Sequence, residues 1–184
     1  MYKIISILAF LMLASSGLEA QIFFTRSGKI SFYSDAPVEK IEAVNSSATS
    51  VIDTESGKME FAVLIKGFQF QKSLMQEHFN DNYMESSKFP KAIFKGQLDA
   101  PYQVNFKTAG TYTAKVSGQL TIHGVSQPKA LDATFVVKEG AIEGNAQFNV
   151  SVTDHNIDIP AMMVDRIADT IAVKVEMEYK LLEK

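Results

Sequence analysis

The residues in this sequence best suited to chemistry are three histidines and the carboxylates of one late loop. His78, His123 and His155 lie far apart in the chain. Imidazoles can ligate zinc or relay protons, and His123 and His155 with acids such as Asp154, Asp158 and Asp165 would suit a metal-dependent hydrolase. The spacing that such chemistry needs is absent: no H-x-H or H-E-x-x-H pair sets two ligands on one face. There is no G-x-S-x-G elbow, phosphate loop or dinucleotide fingerprint. Cysteine is missing altogether, which removes disulfides, thiolate nucleophiles and Cys-ligated zinc. The loop acids read as turn formers and solvated charge, the histidines as surface or hydrogen-bonding groups. No catalytic residue, metal site or cofactor is assigned on this reading, and a hydrolase remains the alternative to a binding protein.

The composition narrows the class further. The 184 residues are enough for one ordinary core. Lys3, an apolar run from Ile4 to Ala14, and Ser15–Ala20 have the order of a secretory leader, with cleavage expected before Gln21. The run is shorter than the roughly 20 residues of a membrane span. This divides the chain into a signal peptide, 1–20, and one domain, 21–184, with a periplasmic or secreted location. The net charge of −3 and the lack of a basic patch argue against nucleic acid as a partner.

The elements that must position any site are strands. From Gly110, residues Tyr112, Ala114, Val116, Gly118, Leu120 and Ile122 alternate with polar neighbours, the period-2 pattern of a strand with one buried and one wet face. Gly124 and Pro128 bracket an expected turn, and Leu131, Ala133, Phe135 and Val137 continue the pattern. Gly118, on the apolar face, marks a bend or a close approach. Similar alternation runs through Met59–Ile65, Ala92–Leu98, Ile142–Val152 and Ile171–Tyr179. The N-terminal part reads as one or two strands broken near Arg26-Ser27-Gly28, then Val38–Asn45 and Ala48–Asp53. One helix is expected from Ser73, with Gln76 completing a capping box and an end near Asn80-Asp81-Asn82.

About eight strands with short turns and one helical insertion predict an all-β antiparallel barrel. Inward glycines (Gly96, Gly118, Gly144) suit a sheet bent around an enclosed space. Large inward residues mix with very small ones, which leaves two outcomes open: a filled structural core or a ligand cavity. Phe68, Phe70, Leu74, Met75 and Phe79 in the insertion, with Met162 and Met163 in the late loop, suit an adaptable apolar lid.

The segment Gly118-Gln-Leu-Thr-Ile-His-Gly-Val-Ser-Gln-Pro128 resembles the G-x-L-T-I-x-G-V-T-x-P core of the YceI-like family. Leu74 to Gly96, with its aromatic-Pro pair Phe89-Pro90, is similar to that family's helical insertion, and Gly144–Val152 and Thr170–Tyr179 match its last strands in spacing. The resemblance implies an exported, non-enzymatic, lipocalin-like β-barrel holding a long-chain isoprenoid or other lipid, such as a polyisoprenoid, isoprenoid quinone or fatty amide. A second copy of the chain is a further candidate partner. Where many members carry an arginine-containing loop, this chain reads Asp154-His-Asn-Ile-Asp-Ile-Pro160. That argues against an anionic head group and leaves a neutral head or a plain apolar chain. The expected ligand-contacting residues are Phe61, Val63, Phe94, Tyr112, Ala114, Leu120, Phe135, Phe148 and Val150 of the walls, with Phe68, Phe70, Leu74, Met75, Phe79, Met162 and Met163 of the lid.

Overall fold

Each alternating stretch folds as a strand in the computed structural model, which describes residues 21–183; the expected leader, 1–20, lies outside the described residues. The strands are β1 (Ile22–Asp35), β2 (Lys40–Asp53), β3 (Lys58–Leu64), the two-residue β4 (Gln69–Phe70), β5 (Lys91–Leu98), β6 (Gly110–Ile122), β7 (Val125–Lys138), β8 (Ala141–Ser151) and β9 (Thr170–Leu181). All pairings are antiparallel, in the order β1-β9-β8-β7-β6-β5-β3-β2, and β1 pairs with β2 to close an eight-stranded barrel. β4 adds a short outer pairing on β2. One short helix, α1 (Ser73–His78), lies between β4 and β5.

At the N-terminal end β1 takes the one-strand alternative, and β2 is one strand where two were expected. The break near Gly28 is a bulge inside a continuous β1, with register shifts on either side of Gly28 against β2. Val38–Asn45 and Ala48–Asp53 likewise merge into one β2. A bulge adds a residue to one strand and disrupts the ladder locally without ending the strand. At the β2 irregularity the Asn45 carboxamide oxygen accepts the Ser47 N–H at 2.8 Å, and its NH₂ reaches across to the Leu64 carbonyl at 3.0 Å.

The β6–β7 turn is tighter than expected. Ile122 pairs directly with Val125, so the loop is His123-Gly124 alone, with φ of 51° and 74°. Positive φ at both central residues matches the twist of a two-residue hairpin. Pro128 therefore belongs to β7, opposite Gln119. Strand β8 pairs with β7 only from Ala133 onward, so Pro128 sits where β7 has a single neighbour and its missing N–H breaks no ladder bond.

Helix α1 forms without the capping box. Lys72 precedes its first residue, no side chain caps it, and the Gln76 Oε1 instead accepts the Phe70 N–H at 3.3 Å. The helical path also runs past the expected stop as a π turn, Phe79–Tyr83. Asn80 does not end it because its Nδ2 turns back to donate to the Gln76 carbonyl at 2.9 Å.

The close approach expected at Gly118 is made by β5. Gly118 pairs with Gly96 across the sheet, and a methyl at Gly118 would stand 2.5 Å from the Gly96 Cα and press on the Lys95 carbonyl. That obstacle is backbone and cannot rotate away. Gly118→Ala is expected to lower stability by about 1–3 kcal/mol, read from the urea midpoint; an unchanged midpoint would show that the sheet relaxes there.

The barrel is filled at one end and hollow at the other. At the end carrying the β2–β3 and β7–β8 turns, Ile52, Leu98, Val104, Phe106, Val116 and Ile142 are buried. Phe106 closes on Phe135 with ring centroids 6.0 Å apart. Toward the opposite end, inward residues such as Ile30, Phe32, Phe61, Phe94 and Phe148 are only half-buried, because they face open space.

Candidate functional site

The alternation that makes each strand amphipathic aims one row of apolar side chains inward from every wall, and around the hollow half these rows enclose a cavity of about 280 Å³. On the β1 side, four phenylalanines pack together. Phe32 lies 5.2 Å from Phe68, 5.8 Å from Phe70 and 5.3 Å from Phe79, the last stacked with the ring planes 29° apart. Phe68, Phe70 and Phe79 all come from the insertion, so this cluster fastens it to β1. Phe61 and Phe94 meet edge-on at 6.0 Å on β3 and β5. Small side chains between them, Ala92, Ala133 and Ala146, keep the space open.

Of the residues expected to touch a ligand, Phe61, Val63, Phe68, Phe70, Met75, Phe79, Phe94, Leu120, Phe135, Phe148, Val150 and Met163 line this cavity. Four do not. Ala114 is sealed in the filled half, and Tyr112, also there, donates its hydroxyl to the Thr108 carbonyl at 3.0 Å. Period 2 places both inward but says nothing about depth along the barrel axis. Leu74 and Met162 point to solvent, at 59% and 85% exposure. The wall also contains residues outside the expected set, notably Ile30, Phe32, Val173, Val175 and Tyr179. Their alternation on β1 and β9 was signal enough to find them. Ile157, Ile159 and Ile167 of the late loop also line it, and no periodicity marks those.

Polar groups are few and sit at the extremes. At the mouth, Ser34 accepts the Ala168 N–H at 2.8 Å, and Glu39, His78 and Tyr83 reach the rim of the cavity. Among the described residues, no lysine or arginine lines it. Burial raises the Tyr83 pKa above its ordinary value.

Deep in the barrel, the Tyr179 hydroxyl lies 2.9 Å from Ser50 Oγ, which is itself 2.9 Å from the Glu60 carbonyl. A carbonyl only accepts, so Ser50 donates to Glu60 and Tyr179 donates to Ser50. Burial pushes the Tyr179 phenol pKa well above 10.0. The folded state thus holds the neutral phenol where the unfolded chain ionises. Its stabilisation is complete below about pH 10 and drains away as pH rises beyond that. Tyr179→Phe is expected to cost about 1–2 kcal/mol at neutral pH and to flatten this alkaline loss. Urea unfolding at neutral pH and near pH 11 checks both; an equally steep alkaline loss in the variant would assign it to other groups.

The histidines do not converge. His78 stands exposed on α1. His123 bridges two loops, with Nε2 2.9 Å from Glu85 Oε2 and Nδ1 3.1 Å from the His155 carbonyl. The buried His155 has its Nδ1 3.1 Å from the Val125 carbonyl. Among the described residues, no group of three His, Asp or Glu side chains is placed to hold a metal ion. Each imidazole that is bonded ties loop backbone together at the mouth end.

Known structures share this architecture. A polyisoprenoid-binding domain from Saccharophagus degradans superposes with a TM-score of 0.77 at 12% identity, covering 89% of this chain and all of that one. BcnA of Burkholderia cenocepacia gives 0.69 at 16% identity over 82% and 95% of the two chains. The YceI protein of Campylobacter jejuni gives 0.56 at 20% identity over 75% and 81%. At such identities the likeness concerns the fold. No curated protein sequence matches the chain. The family model for the YceI-like domain matches residues 22–179, nearly all of the described chain, and the protein is therefore a member of the YceI-like domain family.

Proposed function

We propose that this protein is an exported, non-enzymatic carrier that holds one long apolar chain, an isoprenoid or similar lipid, inside the barrel with its head at the mouth. The observation that carries this reading is the hollow half: an apolar cavity of about 280 Å³, lined by aromatic and aliphatic side chains and open at one end. That size lies near the low end of the roughly 300–1,000 Å³ range of small-molecule sites. It suits a single chain better than a bulky ring system. Apolar burial at about 25 cal/mol per Å² supplies affinity without a polar anchor. The polyisoprenoid-binding domain of Saccharophagus degradans, similar in fold, supports the ligand class. The lack of lysine or arginine in the described lining favours a neutral head, an alcohol, amide or quinone, over a pyrophosphate.

Native mass spectrometry of the purified protein, followed by organic extraction and addition of a polyprenol or fatty amide, tests the reading. Bound lipid, or one-to-one uptake, is expected. A protein that carries no lipid and takes up neither probe would overturn it in favour of a purely structural barrel. The exported location rests on the sequence of residues 1–20. N-terminal sequencing of protein from the cell envelope should begin at Gln21; an intact Met1 would refute the leader.

A further inference from the structure

Leu74 and Met162 face water, 59% and 85% exposed, rather than the cavity they were expected to line. Val38 and Val164 are exposed in the same way, at 61% and 51%. These four residues come from three segments that meet at one carboxylate. Glu39, in the β1–β2 turn, receives Lys72 Nζ at 3.1 Å and Arg166 Nη1 at 3.7 Å. Lys72 immediately precedes α1, and Arg166 belongs to the late loop. The Val38 N–H also donates to the Asp165 carbonyl at 2.9 Å. Glu39 itself stands at the cavity edge. The exposed side chains therefore crown the open end, and large apolar groups clustered in water at such a place mark a contact surface.

We propose that this crown docks on an uncharged, zwitterionic lipid surface, with Leu74, Met162, Val38 and Val164 dipping into the interface so that the cavity opens toward the acyl layer. The inference rests on the reading that the cavity holds a lipid chain. Such a chain would otherwise have to cross water on its way in, and every methylene exposed there carries a transfer penalty. A rim continuous with the apolar wall removes that crossing. The charge pattern selects the kind of surface. In segments 35–40, 65–91 and 153–169 the acids Asp35, Glu39, Glu77, Asp81, Glu85, Asp154, Asp158, Asp165 and Asp169 outnumber Lys40, Lys66, Lys72, Lys88, Lys91 and Arg166. Lys72 and Arg166 are paired with Glu39, Lys40 with Asp35 and Lys88 with Glu85. Anionic lipid is repelled by such a rim, and binding comes from apolar insertion.

The test compares the wild type with Leu74→Ser/Met162→Ser by co-sedimentation with phosphatidylcholine vesicles, with and without added phosphatidylglycerol. The wild type is expected to bind neutral vesicles independently of salt and more weakly when phosphatidylglycerol is added. The double variant is expected to lose roughly tenfold or more in partitioning. Its uptake of polyprenol from an ethanol dispersion should be unchanged, while transfer of the same polyprenol from vesicles slows to a similar degree. Wild-type protein left in the supernatant, binding strengthened by phosphatidylglycerol, or a variant that sediments like the wild type would each overturn the proposal. Substitutions that change the mass in light scattering but not vesicle binding would assign the rim to contact between copies. Failure of both proteins to take up polyprenol from ethanol would sink the cavity reading, and vesicle partitioning would still judge the rim.

Discussion

Replacing Ala146 with phenylalanine is expected to reduce lipid uptake by at least about 100-fold, roughly 2.7 kcal/mol of binding free energy, while the barrel stays folded. Ala146 lines the cavity on β8, opposite Ala133 on β7 and Val175 on β9. Its side chain is small where the walls are otherwise aromatic and aliphatic, so a benzyl group there projects into free volume. On the proposed reading one chain occupies this cavity, and a ring across it blocks that chain. Overpacking normally costs a folded protein about 1–3 kcal/mol. Here the added atoms meet empty space, and the cost should fall at or below the low end of that range. Ala172 on β9 is exposed, on the outer face, and Ala172→Phe is the matched control. Titration of a fluorescent fatty amide against both variants, with thermal melts beside it, gives the answer. Normal uptake by a folded Ala146→Phe protein would mean that the ligand does not occupy this cavity.

The second large effect is on stability. Phe32→Ala should lower it by about 3–5 kcal/mol, nearer the lower figure because one side of the ring faces the hollow. Phe32 is the one member of the four-phenylalanine cluster that belongs to the barrel wall; Phe68, Phe70 and Phe79 belong to the insertion. Helix α1 buries no residue of its own and has no side-chain cap, so it depends on this cluster, the Glu39 pairing and, just beyond it, the packing of Phe79 and Tyr83 on Ile65, Met84, Val152 and Ile157. Hydrogen exchange across Ser73–Tyr83 should accelerate in the variant well beyond that of β6 and β7. A loss under about 1 kcal/mol, or uniform acceleration, would show that the insertion is held by other contacts.

Much of this was legible in the chain itself. The inward faces of β3, β5, β6, β8 and β9 followed directly from alternation, and Gly118 marked a close approach that β5 makes. The same alternation failed at two kinds of place. A local pattern cannot distinguish a bulge from a break, so β1 read as one strand or two and β2 as two pieces. It also cannot say how a polar side chain will bond, so Ser73 and Gln76 suggested a cap while Gln76 in fact bonds Phe70.

For the site, the chemistry-bearing residues proved the least informative. His123 and His155 bond backbone and a carboxylate near the mouth rather than facing the cavity. Leu74 and Met163 were named alike as lid residues, but one faces water and the other the cavity. In a six-residue helix and an irregular loop, no period is long enough to settle which side is inner.

What the sequence determined by itself was the set of strands, their inward faces and the family motif around Gly118-Gln-Leu-Thr-Ile-His-Gly124, because period 2 and turn chemistry act between near neighbours. What only the tertiary structure decided was that the barrel is filled at one end and hollow at the other. That outcome depends on which large side chains meet across the interior, as Phe106 meets Phe135 and as Phe32 meets the insertion. Closing the wall around that interior takes the pairing of β1 with β9, between the two ends of the described chain, which leaves no trace in the spacing of either strand.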